Sequence, residues 1–570
     1  MGEGNREEEP QTSNKHGGWI TFPFIIGSFA CMTLATGGWL ANLIVYLIKE
    51  YNISSIDATL IFNIVNGCLS VFPVVGAVLA DSFFGSFFII VISTSISLLA
   101  ILSLTLTATI HSLRPQPCDH NNTSITCSSS PSKLQYTILY SSIILASCLG
   151  SGGSRFTTAT LGANQYDTTK HQNIFFNWFF VTLYAGYVAS STAIVYIQDN
   201  VSWGWGFGIC LAANVVSLAI FLLENRFYRL DKPKGSPFTS LARVLVATAR
   251  KRLARVQVGS DEGCYYYGDQ DHRVGMPVVD RIMLTKSFRC LNRAALITQE
   301  DVHLDGTIAK PWRLCKVQEV EDFKTLLKIL PLWSTGIFLS IPIAIQGSLT
   351  VLQALTMDRH LGSNFKIPAG SFSVIIFIST TISLTLVDRF LYPIWQKLIG
   401  RMSRPLECIG LGHVLNFISM VMSALVESKR LKIAHAHLLQ GQVEAIVPIS
   451  ALWLFPQLVL VGMGVAFHFP GQVGLYYQEF PASLCSTATA MISLVIAIAY
   501  YLSSSLIDLL HKVTKWLPND INQGRLDNVY WMISVIGVIN FGYYLVCARC
   551  YKYQNVEDGG KNVNDSITQH

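Results

Sequence analysis

Residues 87–111 read FFIIVISTSISLLAILSLTLTATIH and contain no Asp, Glu, Lys or Arg. A helix needs about 20 consecutive apolar residues to cross the hydrocarbon core of a bilayer, so this stretch is long enough to span a membrane. By the same criterion the chain has roughly twelve such runs. Their approximate limits are 22–48, 57–80, 87–111, 136–163, 175–197, 205–224, 329–353, 370–394, 407–427, 447–470, 484–510 and 529–548. The sequence therefore predicts an all-α membrane protein with twelve transmembrane helices.

The composition excludes an ordinary soluble protein. The chain is 51% hydrophobic and only 13% charged, and its mean hydropathy is +0.41. Soluble domains carry about 25% charged residues. Residues 1–18 are polar and acidic, with Glu7, Glu8 and Glu9 in a row, and lack the basic segment of a cleavable signal peptide. We expect the first span to act as the insertion signal.

The placement of basic residues predicts the orientation in the membrane. They are dense between the sixth and seventh runs, for example at Arg250, Lys251 and Arg252. Basic residues near span ends favour the cytosolic side, so this segment and both termini are predicted to be cytosolic. Asp261 and Glu262 interrupt the positive charge, which argues against a nucleic-acid partner.

The runs divide into two groups of six. The predicted layout is a cytosolic tail (1–18), a six-helix bundle (19–224), a cytosolic central loop (225–328), a second six-helix bundle (329–549) and a cytosolic tail (550–570). Six spans on each side of a long loop are typical of major-facilitator transporters, in which two halves move about a site near the bilayer midplane. We interpret the loop as a linker and expect an amphipathic helix over 239–256.

The turn between the second and third runs reads GAVLADSFFG over residues 76–85. Gly76 and Gly85 permit a tight turn and close approach of helices. Asp81 lies at the membrane edge, where a carboxylate can meet a helix N-terminus or a basic partner. We interpret Gly76, Asp81 and Gly85 as a conformational latch, with a plain polar turn as the alternative.

The loop between the third and fourth runs is predicted to face the non-cytosolic side. It contains Cys118 and Cys127, which are candidates for a disulfide, and Asn121 and Asn122, which begin overlapping N-x-[ST] glycosylation sites. Both modifications require an oxidising, non-cytosolic compartment. The chain is therefore expected to be a glycoprotein.

Eleven short sequence motifs follow one another across residues 18–553. The words are GANQYD (162–167), FFNWFF (175–180), YIQDNV (196–201), WGWGFG (203–208), RFYR (226–229), GSPFT (235–239), PWRLC (311–315), MDR (357–359), WLFPQ (453–457), YLSS (501–504) and WLP (516–518). In this order they resemble the proton-dependent oligopeptide transporters, in their plant form the nitrate and peptide transporter family. The resemblance implies a major facilitator fold and transport of a small solute by alternating access.

The departures from that family concern the acidic groups of proton coupling. Family members usually carry an E-x-x-E-R word in span 1, whereas the matching positions here are Phe29, Met32 and Thr33. The family's acidic position in span 10 matches Gly474, and its span 4 lysine matches Arg155. A proton-driven symporter needs a group that titrates inside the cavity, and buried carboxylates do this well. Their loss makes strong proton coupling doubtful.

Two further words resemble one branch of the family, the plant nitrate excretion transporters. They are GGWITFPF at 17–24 and GLYYQEFP at 474–481. This resemblance implies nitrate efflux across a plant plasma membrane.

Arg155 is the basic residue that lies well inside a predicted span, where a charge normally faces an aqueous cavity or a partner. Its planar donors suit an oxyanion such as nitrate. Asp388 is the nearest acidic partner that the sequence offers, and a structural charge near the span end is the alternative. Amides and phenols can complete an anion site at lower desolvation cost. The candidates for this role are Asn42, Tyr184, Gln346, Gln353, Gln457, Tyr476 and Tyr477.

The sequence thus predicts a transporter for a small inorganic anion, most directly nitrate efflux with little or no proton coupling. Chloride efflux remains an alternative, as does proton-coupled transport of peptides or organic anions such as glucosinolates, in which His413 and His468 would be the groups to titrate. A nutrient sensor or a partner subunit that does not transport is a third class. No enzyme motif, metal-binding motif or cofactor-binding motif occurs, so we expect neither catalysis nor a cofactor. The expected partners are the anion and the lipid bilayer.

Overall fold

The apolar run quoted above forms a single helix, Ser86–Thr109, in a computed structural model of the chain. The structure describes residues 17–115, 131–152, 155–230, 237–253, 265–267, 284–285, 287–298, 301–303, 307–400, 404–439, 442, 445–480 and 485–551. Apolar side chains cover this helix all round, and Ile92 and Leu99 remain exposed. A helix that is apolar on every side is expected where lipid replaces water around the protein. Among the described residues, eleven helices are long and apolar enough to cross a membrane.

Seventeen α-helices occur in the described part of the chain. They are α1 (Phe22–Ala41), α2 (Leu43–Tyr51), α3 (Ser55–Leu79), α4 (Ser86–Thr109), α5 (Lys133–Ile144), α6 (Phe156–Ala163), α7 (Thr169–Ala189), α8 (Val195–Asn200), α9 (Trp203–Leu223), α10 (Pro237–Leu253), α11 (Val317–Leu355), α12 (Val374–Leu386), α13 (Tyr392–Ile399), α14 (Pro405–Ala436), α15 (Phe455–Glu479), α16 (Cys485–Val513) and α17 (Leu526–Cys550). Four π-helical segments extend or join them, at Ala80–Phe84, Leu145–Leu149, Ser190–Ile194 and Val387–Leu391.

Strands are few and short in the described part of the chain. They are β1 (Met357–Asp358), β2 (His360–Leu361), β3 (Phe365–Lys366) and β4 (Val447–Ser450). The pair β1–β4 is parallel, and the pair β2–β3 is antiparallel. All four lie in connections between spanning helices, so the fold is all-α as predicted.

The chain divides into two compact units. The first contains residues 1–40, 75–116 and 132–233, and the second contains residues 41–74, 117–131 and 234–570. The core of the first unit is an aromatic cluster around Phe29, Phe87, Phe175 and Phe221. The helices α14, α15 and α17 pack together in the second unit.

The predicted fourth span, 136–163, is an interrupted helix. Helix α5 continues as the π-helical segment Leu145–Leu149, turns at Gly150 and Ser151, and resumes as α6. Glycine disfavours a continuous helix, and this glycine-rich stretch also permits close packing. A methyl group at Gly76 of α3 would overlap the carbonyl oxygen of Gly152. The interruption therefore brings two backbones into contact.

The central segment has a small core of its own, although the sequence suggested only a linker. The amphipathic helix predicted over 239–256 is α10, and its residues Val244 and Ala247 pack against Leu291, Ala295 and others. Lys251 is buried at 1% exposure and forms an ion pair with Asp301 at 3.4 Å. Burial lowers the pKa of Lys251, an effect that Asp301 opposes. Apolar packing and a buried ion pair thus stabilise this segment.

Four residues of the predicted modification sites lie outside the described residues. They are Cys118 and Cys127, predicted to form a disulfide, and Asn121 and Asn122, predicted to be glycosylated. Both modifications remain predictions.

Candidate anion site

Arg155 is the N-cap residue of helix α6 and follows the glycine-rich interruption of the fourth span. Its Nη2 donates a hydrogen bond to the phenol oxygen of Tyr187. The guanidinium carbon lies 5.7 Å from the centre of the Tyr187 ring. The sequence offered Asp388 as the nearest acidic partner, and its side chain lies outside the described side chains; the structure shows the phenol of Tyr187 in contact with the guanidinium.

Helix α7 supplies both tyrosines of this region. Tyr184 precedes Tyr187 by one turn, is half-buried and lies within electrostatic range of Arg155. Glycines allow α1 to approach α7 closely, because a methyl group at Gly186 would lie 2.8 Å from the side chain of Thr33. Thr33 therefore stands beside the turn that carries Tyr187. Sequence reasoning named Tyr184 but missed Tyr187, since the contact across helices leaves no mark in the sequence.

The two other span 1 positions that match the family's acidic word are packed with hydrocarbon. Phe29 and Met32 are buried in the aromatic cluster of the first unit. The rings of Phe29 and Phe179 stack with their centres 3.9 Å apart. These positions are occupied by a stable apolar contact, which leaves no titratable group there.

Glutamine side chains form a buried network in the second unit. Gln457 donates to the side-chain oxygen of Gln346 at 3.2 Å and to that of Gln353 at 3.5 Å. Gln346 also donates to Ser423 and accepts from Thr350 at 2.8 Å. The structure therefore brings together three of the predicted amides.

The glutamine network continues into a buried ion pair that the sequence analysis missed. Gln353 donates to Glu427 at 2.7 Å and accepts from Tyr530 at 3.0 Å. Glu427 and Arg430 are fully buried, and their side chains approach to 2.6 Å. Arg430 also donates to Asn522 and to Thr356, the latter at 3.0 Å. The signal was present as opposite charges three residues apart, but the predicted ninth span ended at residue 427, whereas α14 extends to Ala436.

The remaining predicted polar residues occupy different surroundings. Asn42 is buried directly before α2. Gly370 packs against it, because a methyl group added at Gly370 would lie 2.7 Å from the side-chain oxygen of Asn42. Tyr476 is buried in the apolar cluster of the second unit, stacked on Phe480 at 5.3 Å. Gly474, at the family's acidic position in span 10, faces the ring of Pro405. The side chains of Tyr477 and Asp388 lie outside the described side chains.

The predicted latch residues lie at the junction of α3 and α4. Asp81 belongs to the π-helical segment Ala80–Phe84, and Gly85 caps α4 with a positive φ of 79°. Glycine adopts this conformation without the steric cost that other residues meet. Gly76 provides the close contact with Gly152 described above. The role of the three residues as a latch remains a prediction.

Comparison with known proteins identifies relatives over nearly the whole length. Residues 87–525 match the profile of the POT family, PTR2. The chain is 52% identical to "Protein NRT1/ PTR FAMILY 2.7" of Arabidopsis thaliana, covering 96% of this chain and 95% of that protein. It is 51% identical to "Protein NRT1/ PTR FAMILY 2.6" of the same plant, with coverage of 98% and 97%.

Solved structures show the same fold at low sequence identity. The crystal structure of the POT family transporter PepTSo superposes with a TM-score of 0.68 at 15% identity, covering 94% of this chain and 99% of that one. An auto-inhibited POT family peptide transporter superposes with a TM-score of 0.67, also at 15% identity, with coverage of 94% and 97%. At this identity the likeness establishes the major facilitator fold and not the substrate.

Proposed function

Because the chain belongs to the POT family of membrane transporters, we propose that it carries a small inorganic anion across the bilayer, with nitrate efflux as its main activity and little or no proton coupling. Two observations together support this proposal, one on Arg155 and one on the first span. A cation, Arg155, is held by a phenol in the first unit. The span 1 positions that match the family's carboxylates are packed with aromatic and aliphatic side chains.

The chemistry of Arg155 favours a planar oxyanion. A guanidinium presents donors in a flat fork, and nitrate presents acceptors in a flat triangle, so two parallel hydrogen bonds can form. Tyr187 contacts the guanidinium, which orients the fork before the anion arrives. Tyr184, one turn away, adds a second phenol near the charge. A peptide would require a carboxylate for its ammonium group, and the matching positions Phe29 and Met32 supply none.

The direction of flux follows from the driving force. A potential that is negative inside the cell contributes about 2.3 kcal/mol per charge for each 100 mV, and it drives an anion outward. A facilitator without proton coupling in a plasma membrane would therefore release nitrate. Cytosolic termini and a plasma membrane location belong to this proposal.

Purified protein in liposomes preloaded with nitrate tests the proposal. The membrane potential is set with potassium and valinomycin, and the pH gradient is set separately with buffers. We expect nitrate efflux to follow the potential and to persist without a pH gradient. Liposomes loaded with chloride instead of nitrate should release their anion more slowly. Efflux that requires a pH gradient would overturn the absence of proton coupling. Faster efflux of chloride than of nitrate would overturn the substrate, and flux of neither anion would favour a sensor.

A further inference from the structure

The second unit contains a group of buried polar side chains apart from the glutamine network. They project from three helices and comprise His413 and Asn416 of α14, His468 and Gln472 of α15, and Asn540 of α17. Each is at least nine-tenths buried, and His468 is completely buried. The rings of His413 and His468 are perpendicular, with their centres 5.9 Å apart. We call this group the histidine cluster.

Several atoms of the histidine cluster have no hydrogen-bond partner among the described residues. They are Nε2 of His413, Nδ1 and Nε2 of His468, and the side-chain oxygens of Asn416, Gln472 and Asn540. A buried polar atom without a partner costs about 1–3 kcal/mol. Six such atoms in one place are hard to reconcile with a dry interior, since native proteins satisfy almost all buried polar groups.

The hydrogen bonds that do exist define what the cluster offers to a ligand. The amide nitrogen of Asn540 donates to the carbonyl oxygen of Thr335 at 3.0 Å and meets Nδ1 of His413 at 3.4 Å. Nδ1 therefore accepts, and in the neutral ring Nε2 carries the hydrogen. The amide nitrogen of Asn416 donates to Gly412 at 3.1 Å, which leaves its oxygen as an acceptor. The cluster thus presents both donors and acceptors.

Glycines line the histidine cluster and allow its side chains to pack closely against neighbouring helices. Gly336 of α11 faces the cluster, and a methyl group there would lie 2.7 Å from Nε2 of Gln472 and 3.7 Å from Nε2 of His468. The absence of a side chain at Gly336 therefore lets the amide of Gln472 lie directly against the backbone of α11. Gly412 and Gly464 act differently, because they allow α14 and α15 to pack directly against His468 and Asn416.

From this geometry we propose that the histidine cluster is an internal hydration site, in which bound water links His413 to His468. Water suits the cluster because it donates two hydrogen bonds and accepts two, and buried water typically makes about three. Helices α11, α14, α15 and α17 surround the site. Its water molecules satisfy the amide oxygens and imidazole nitrogens that the protein leaves without partners. The histidine cluster belongs to the second unit, whereas Arg155 belongs to the first.

Hydroxyl-radical footprinting of the full-length protein in nanodiscs tests the hydration site. Radicals generated by X-rays label a buried side chain only where water lies beside it. We expect labelling of His413, His468 and Tyr544, which stacks on His413 at 4.7 Å, to exceed that of Phe175, a residue buried in the aromatic cluster of the first unit. Gly336→Ala should displace the amide of Gln472 towards the other members of the cluster, exclude the water and reduce this labelling to the level of Phe175. Labelling no faster than that of Phe175 in the unmodified protein would overturn the proposal.

Thermal unfolding supplies a second test that does not depend on Gly336→Ala folding. Replacing a dry, unpartnered histidine by leucine should stabilise the protein, because two unsatisfied nitrogens disappear. Replacing a hydrated histidine removes partners of bound water and should lower the Tm. We therefore expect His468→Leu to have a lower Tm than the unmodified protein, whereas the exposed control His435→Leu should leave it unchanged. A rise in the Tm of His468→Leu would contradict the hydration site.

Discussion

The buried ion pair of Glu427 and Arg430 gives the sharpest prediction about stability. Both side chains are fully buried, 2.6 Å apart, and Gln353 donates to the carboxylate at 2.7 Å. Removing one partner leaves an uncompensated charge in a low-dielectric interior, which costs about 3–5 kcal/mol. We expect Glu427→Leu and Arg430→Met each to lose this amount of unfolding free energy. The double variant should lose less than either single variant, because no charge is left unpaired.

Reversible unfolding of the purified protein in mixed micelles with increasing sodium dodecyl sulfate measures these free energies. The exposed pair Lys512 and Asp508, at 2.8 Å, is a matched control. Exposed pairs contribute about 0–1 kcal/mol, so Asp508→Ala and Lys512→Ala should have small, additive effects. If the losses of Glu427→Leu and Arg430→Met simply add in the double variant, the two charges are not coupled and the reasoning is wrong.

Three further predictions concern packing and reactivity. Gly76→Ala should lower the unfolding free energy by about 1–3 kcal/mol through overpacking. Gly208→Ala should leave the unfolding free energy unchanged, because no atom lies within 4 Å of an added methyl group there, and thermal unfolding in detergent compares the two variants. Burial raises the pKa of the Cys315 thiol to about 12, so its thiolate fraction at pH 8 is about 10⁻⁴. Maleimide should therefore label the exposed Cys290 before the buried Cys315, and peptide mass spectrometry measures the labelling of each cysteine. Equal labelling of the two cysteines would contradict the burial of Cys315. Phe29→Glu should unfold at a lower temperature than Phe29→Leu, since it buries a carboxylate among aromatic rings; a higher unfolding temperature would mean that the site is polar.

Hydropathy predicted the helices of this protein well, because lipid demands long apolar segments with satisfied backbones. The run at 87–111 is the helix Ser86–Thr109. The interruption of the fourth span near Gly150 can be understood from its glycines, because glycine disfavours a continuous helix and permits close packing.

Other features depend on contacts between residues far apart in the sequence. Tyr187 reaches Arg155 from another helix, so the partner of the cation could not be deduced from span 4 alone. The charges of Glu427 and Arg430 lower the average hydropathy, although they neutralise each other inside the fold, and the predicted span ended too early. The amphipathic helix α10 was visible in the sequence, but the core around it forms with residues far away in the chain, such as Leu291 and Cys315, and could not be deduced.

The central claim is that Arg155 binds the transported anion, and nitrate efflux from preloaded liposomes at a fixed potential tests it most directly. We expect Arg155→Ala to reduce efflux by about tenfold to a hundredfold, as the loss of about 1.5–3 kcal/mol from hydrogen bonds to a charged group implies. Arg155→Lys should recover only part of the flux, because a point charge lacks the planar fork. The exposed control Arg226→Ala should retain full activity. Unchanged efflux in correctly folded Arg155→Ala would contradict the claim.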